Sequence, residues 1–411
     1  MDFSAEELRT RRNRFTAAMN RRCPDWDTAI LIDSVNQYYL TGTIQDGMAV
    51  IRKDSAVPEG SRLYYGVRRS FARAALESPL FRETGNVSEE LLPMVSYRDM
   101  ADKIGSDLGR VYLEGDTLPT AVLERLKKYF SFSGRPAFLD AVIRGVRSVK
   151  SPAEIELIRR SGEAHRLLLE ERVPAILREG MTEAEFAGEL SAEMYRLGYQ
   201  GLTRFHQIQA EMSIGQIGFG TNSLYPSLFD GPGGAKGHGP ASPLSADGER
   251  RLKKGDAVFA DIGFGVRGYH SDKTQVYVFG AEPPEAFAKA HQFCMDLQKA
   301  LAERLVPGAV PSELYRDILG SLGEAELDCF MGVDNRHRVK FLGHGIGLDI
   351  DELPVIAKGF DEPLEENIVL ALEPKKGVPG IGMSGVEDTY IVTPRGGLCV
   401  TGGGREIIRT T

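Results

Sequence analysis

Five side chains have the residue types and spacing for metal chemistry. Asp261 and Asp272 stand eleven residues apart in DIGFGVRGYHSD. A turn across Gly265 to Gly268, centred between Val266 and Arg267, makes this stretch a hairpin with the two aspartates directly opposed. Opposed Cβ atoms lie about 5 Å apart, and like charges there are destabilising unless a cation offsets them. EPKKGVPGIGMSGVE repeats the device, with Glu373 and Glu387 each seven residues from Gly380. His344, in FLGHGIGLDIDELP, stands between glycines that let other backbone approach closely. One imidazole and four carboxylates can hold two divalent ions about 3.5–4 Å apart with carboxylate bridges.

Two kinds of sequence surround these residues. From Thr28 to about Arg147, the apolar runs TAILID, MAVIRK, RLYYGV, RVYLEG and AFLDAVI alternate with the helical patterns SFARAALES, MADKIGSDLG and PTAVLERLKKYF. Such alternation predicts an α/β domain on a mixed or parallel sheet. At SVKSPAEIELIRR, Ser151 as N-cap, Pro152 in the first turn and Glu154 as the capping-box acid predict a long helix and a boundary near Lys150. Thr182 and Glu185 repeat the cap signature before TEAEFAGELSAEMYRLG. Beyond Gly201 the strands EMSIGQIGFG, GDAVFADIGFG, YHSDKTQVYVFG, ENIVLALEP and EDTYIVT, interrupted by two helices, predict an α+β domain around antiparallel strands. The expected division is 1–148 and 149–411.

Composition narrows the function classes. With 42% hydrophobic and 26% charged residues the chain is globular, neither disordered nor fibrous. A net charge of -8 argues against a nucleic-acid partner, which would call for clustered Lys and Arg. Basic residues do cluster locally, as in RTRRNR, which is expected to be the solvated face of an amphipathic helix with Leu8, Phe15 and Met19 inward. No window reaches the roughly 18 apolar residues of a membrane span, and the first residues hold no secretion signal, so a cytoplasmic protein off the membrane is expected. Cys23, Cys294, Cys329 and Cys399 are far apart and are expected to be free thiols.

The motifs resemble the pita-bread metallopeptidases, the family of methionine aminopeptidase, Xaa-Pro aminopeptidase, prolidase and creatinase. GDAVFADIGFGVRGYHSDKTQVYVFG looks like that family's two-aspartate hairpin, GHGIGLDIDELP its histidine loop, ALEP its first glutamate and GVEDTYIVT its second. LIDSVNQYYLTG and IRGVRSVKSPAEIELIRRSGE are similar to the opening strand and the connector of the branch with a creatinase-like N-terminal domain. The resemblance implies an α/β creatinase-like domain followed by an α+β pita-bread catalytic domain. It implies Asp261, Asp272, His344, Glu373 and Glu387 as ligands of two divalent ions (Mn, Zn, Co or Fe). The oxygen-rich set favours Mn. Glu373 would be ligand and proton acceptor, the substrate a small peptide or other small molecule, and the assembly a homodimer.

The resemblance breaks at two histidines that orient substrate in these peptidases. Where one belongs, seven residues after His344, this chain has Asp351. An ionised carboxylate accepts hydrogen bonds but donates none, so Asp351 is expected to meet a cationic substrate group; a turn aspartate clear of the site is the alternative. The other belongs near Pro243 and Leu244, and His238 is the nearest candidate for its role, with His206 second. By period two, His270 shares the face of Asp272. The leading expectation is a dinuclear Xaa-Pro aminopeptidase or dipeptidase; the alternatives are a metal-dependent lyase or amidohydrolase, and a non-catalytic binding protein on the same fold.

Overall fold

The computed structural model describes residues 3–57, 60–82, 88–206, 211–403 and 406–411. The chain divides into two compact units, Met1–Arg147 and Ser148–Thr411. No helix among the described residues is long and apolar enough to cross a membrane.

The first unit is built on a six-stranded mixed sheet. Thr28–Leu31 lies at its centre, antiparallel to Gly47–Lys53 on one side and parallel to Val111–Leu113 on the other. Two apolar runs fold otherwise than expected. LIDSVNQYYLTG is a strand only to Leu31; Asp33 then accepts from the backbone amides of Val35 and Asn36 and starts the helix Ser34–Thr41. AFLDAVI gives a two-residue strand, Ala137–Phe138, before the helix Asp140–Ser148 takes over.

The N-terminal helix Ala5–Arg22 buries Leu8, Phe15 and Met19 completely, as its pattern requires. Its basic cluster is not a solvated face, however. Arg11 and Arg12 are each 1% exposed. Arg11 lies 3.8 Å over the Phe3 ring and 2.9 Å from Glu7, while Arg12 pairs with the buried Glu89. Buried guanidinium groups persist where a carboxylate and ring faces replace water.

The second unit opens with the helix Pro152–Leu167, whose Ser151–Glu154 capping box is formed in both directions. Thr182 and Glu185 cap Glu183–Arg196 in the same way. Behind these helices, the long hairpin Ala257–Val266 with Tyr269–Phe279 forms the middle of a four-stranded sheet. Phe186, Phe219, Val258, Ile262 and Phe264 pack where helix meets sheet, all fully buried. A five-stranded antiparallel sheet carries Phe341–Gly345 and Val369–Leu372 side by side, and a two-stranded ribbon, Lys375–Val378 with Gly382–Gly385, extends from it. The two larger sheets are tied by a bridge between Thr274 and Glu387 and by Thr389, whose hydroxyl takes the amide of Asp272 (2.8 Å) and donates to its carbonyl (2.9 Å).

Candidate active site

The carboxylate pairs sit where those sheets are tied. In the aspartate hairpin the turn is two residues long, Arg267 and Gly268, both at positive φ (51° and 95°). That turn favours the strand twist and shifts the centre by one residue from the expected place. Asp261 therefore opposes Thr274, and Asp272 opposes Gly263. The aspartates are diagonal neighbours, a correction to the directly opposed pair. Thr274 fills the place across from Asp261, its hydroxyl 2.9 Å from Asp261 and 3.1 Å from Glu387.

The glutamate hairpin keeps the expected register. Val369 pairs with Ile391 and Leu372 with Asp388; beyond a break, Lys375 pairs with Gly385. Continuing the same register through the break puts Glu373 across from Glu387. His344 lies on the strand beside them, opposite Ala371. A Cβ at Gly343 would stand 2.3 Å from the Ala371 carbonyl oxygen, and one at Gly345 2.2 Å from that of Leu353. Glycine is thus required on both sides of the histidine.

The imidazole faces the acids at one nitrogen. Nε2 is 3.4 Å from Glu373, 3.6 Å from Glu387 and 4.0 Å from Asp272. Nδ1 lies 3.0 Å from the Gly345 carbonyl and 3.4 Å from Asp351 Oδ1. The Gly345 carbonyl is the hydrogen-bond acceptor at Nδ1, and a neutral ring keeping its proton there would leave Nε2 free to bind a metal. Asp351 is therefore no remote turn residue. Its loop folds back because Glu352 Oε1 accepts the amides of Leu348 (2.9 Å) and Asp349 (3.2 Å), while Oε2 takes Lys150 at 3.3 Å.

The outer histidines divide sharply. His238 is exposed, with Nδ1 3.3 Å from the Ala246 carbonyl, and does not line the cavity over the acids. The structure does not bring it to the cluster, because its amide donates to the Ser242 carbonyl (3.1 Å) and the Ser242 amide to the Gly239 carbonyl (2.9 Å), which hold its loop in a tight turn of its own. His206 is also absent from the lining, though its neighbour Phe205 is present; 207–210 lie outside the described residues. His270 is fully buried and braces the histidine loop, Nδ1 donating to the Gly347 carbonyl (3.0 Å) and Nε2 accepting from the Arg204 amide (3.3 Å).

One residue was passed over in the sequence. Lys375, fully buried, places Nζ 2.8 Å from Asp261, 3.1 Å from Glu373 and 2.6 Å from Glu387. Period two along the strand already puts residue 375 on the face of residue 373.

Charges here are strongly coupled. Burial, then Glu387 and Asp261, push Asp272 well above the ordinary carboxylate range. Burial, then Glu387, lifts Glu373 to about 8. Glu387 runs the other way: burial opposes its charge, yet Lys375 and His344 hold it low. Such crowding is what a divalent ion relieves. Two observations fit one. Asp272, His344 and Glu387 offer ligand atoms all within 4.8 Å of one another, and Glu387 Oε1 is buried with no hydrogen-bond partner.

An acid cluster of this kind, on a hairpin pair beneath a small cavity, defines a metallohydrolase-type centre. The chain belongs to metallopeptidase family M24, whose description matches residues 156–394, and the creatinase/prolidase N-terminal domain matches 11–149. It is 26% identical over 393 residues to the Xaa-Pro dipeptidase of Pyrococcus furiosus, covering 93% of this chain and 95% of that one. It is 31% identical over 278 residues to the "Probable dipeptidase PepE" of Mycobacterium tuberculosis, covering 66% and 64%. The solved Xaa-Pro dipeptidase of Bacillus anthracis shares the fold, with a TM-score of 0.75 at 21% identity over 99% of this chain and 100% of that one.

Proposed function

We propose that this chain is a divalent-metal-dependent peptidase that hydrolyses the bond after the N-terminal residue of short peptides, with Xaa-Pro dipeptides the first substrates to test. The observation that carries this reading is the buried Asp272–His344–Glu387 group with its unpartnered Glu387 oxygen. These three residues would hold an ion, with Asp261 and Glu373 as the remaining acids of the expected set. Mn is the favoured metal for an oxygen-rich set with one imidazole. A bound divalent ion would lower the pKa of water and polarise the scissile carbonyl.

The chain's own residues would supply the rest. Glu373, 3.4 Å from His344 Nε2 and in the cavity lining, would accept the proton of the attacking water and pass it to the leaving amine. Asp351 and Asp230 line the same cavity and give it an acidic mouth suited to a peptide's α-ammonium. Phe205 and Phe229, in edge contact at 5.5 Å, and Ile350 offer an apolar wall for a side chain or a proline ring. We assign His238 no part in this scheme. The domain division at 1–148 and 149–411 completes the reading, and the resemblance supports a cytoplasmic homodimer.

The test is a screen of the metal-reconstituted protein against Xaa-Pro dipeptides, longer Xaa-Pro peptides and guanidino compounds. Xaa-Pro turnover that EDTA abolishes and Mn restores is the expected result. Turnover of guanidino compounds alone would move the assignment to a non-peptide amidohydrolase, and turnover of nothing would sink it.

A further inference from the structure

The acids of the site converge on two positions, and one of them already holds a cation. Asp272, His344 and Glu387 Oε1 surround the first. Asp261 Oδ2, Glu373 Oε2 and Glu387 Oε2 surround the second, where Lys375 Nζ stands at 2.8, 3.1 and 2.6 Å. An ammonium has three donors, and here each meets a different carboxylate. Metal–oxygen bonds are about 2.0–2.2 Å, so an ion bound by these same three oxygens would have to occupy the space of the nitrogen. The lysine stem is buried on the strand Lys375–Val378, and Nζ lies 6.0 Å from the Phe259 ring centroid.

We propose that Lys375 is a built-in cation that takes the place of one of the two ions a four-carboxylate site would otherwise hold, so that this chain binds a single divalent ion, at Asp272, His344 and Glu387. Glu387 spans the two positions, one oxygen toward each. The ammonium then does for Asp261 and Glu373 what a second ion would do: it offsets their mutual repulsion and fixes their orientation. It carries one positive charge in place of two and exchanges no ligands. The second position is therefore permanently filled, whatever the metal supply.

The inference rests on the metal-peptidase reading only in that an ion is bound at all. It is tested by counting ions on the full chain, stripped with EDTA and dialysed against Mn²⁺ or Zn²⁺, for wild type, Lys375→Ala and Lys375→Arg. One ion per chain is expected for wild type and Lys375→Arg, and two for Lys375→Ala. Lys375→Ala leaves three acids without their counter-charge and is to be purified with Mn²⁺ present. Should it still fail to fold, the EPR spectrum of Mn-loaded wild type decides: an isolated six-line signal supports the inference, and an exchange-coupled pair overturns it. Two ions on wild type, or one on a folded Lys375→Ala, likewise overturns it. No ion on wild type removes it together with the metal-peptidase reading, whereas one ion without peptide turnover removes only that reading.

Discussion

The two halves of the acid cluster solve one electrostatic problem in different ways. Around Asp261 and Glu373 the crowded charge is met from within the chain, by an ammonium with all three donors engaged. Around Asp272 and His344 it is not: Glu387 Oε1 has no partner, and Asp272, like Glu373, is driven above its ordinary range by burial and by its acidic neighbours. Buried polar groups left in that condition are costly, and an ion would complete this one. The difference teaches where exchangeable chemistry sits. The half filled by the lysine holds its acids in place, Glu373 among them, and the half left open is the place for an ion.

The comparison is broken most severely at its nitrogen. His344→Ala removes the imidazole whose Nε2 faces the acids, and ion binding measured by calorimetry should be lost, with kcat/KM on an Xaa-Pro dipeptide falling by about 10²–10³-fold or more. Retained ion binding would place the ion in the other half. Asp351→Asn is milder. It leaves every acid in place but withdraws the carboxylate 3.4 Å from His344 Nδ1. Losing an outer partner of a ligating histidine costs about 10–100-fold in metal affinity. A loss of that size in ion affinity means Asp351 acts through His344; unchanged ion affinity with a raised KM means it meets the substrate's ammonium directly.

Some of this was legible in the sequence, and the rest fails for identifiable reasons. The glutamate pair could be aligned because Glu373 and Glu387 are symmetrical about Gly380, and the ladder keeps that register on both sides of the break. The aspartate pair was misaligned because Arg267, an unlikely left-handed residue, adopts φ 51° and moves the turn centre. Lys375 was readable by period two, but EPKK looks like surface charge until three acids are seen around it. The burial of Arg12 was not readable at all, since its partner Glu89 lies 77 residues away. His238 shows the converse error: nearness in sequence to a vacant motif position says nothing of where a turn will leave the side chain.

A second histidine sharpens the contrast without touching the ion. His165 is fully buried with Nδ1 3.2 Å from Ser271 and Nε2 unpartnered, and burial, then Lys273, lowers it to about 3. An unfolded histidine titrates near 6.5, so between those values the folded chain binds fewer protons than the unfolded one. This contribution to stability is whole above about pH 6.5 and is lost as pH falls toward 3, by up to about 1.4 kcal/mol per pH unit. Thermal melts between pH 7 and 5 should show that slope, and His165→Gln should flatten it. A slope unchanged in the variant would assign the acid sensitivity elsewhere.

The smallest effect is the most discriminating. Asp261→Asn keeps the volume and an oxygen for the Thr274 hydroxyl, and removes one of three charges facing Lys375. If Asp261 belongs to the ammonium half, Glu373 and Glu387 still hold Lys375, and the affinity for the ion at Asp272 and His344 should change by no more than about threefold, or ~0.7 kcal/mol. If Asp261 instead binds a second ion, the same substitution removes a charged ligand, and both affinity and ion count should drop. Calorimetric titration of this one variant therefore separates two sites that share Glu387, because only the half whose cation comes from solvent responds to the loss of a carboxylate by losing an ion.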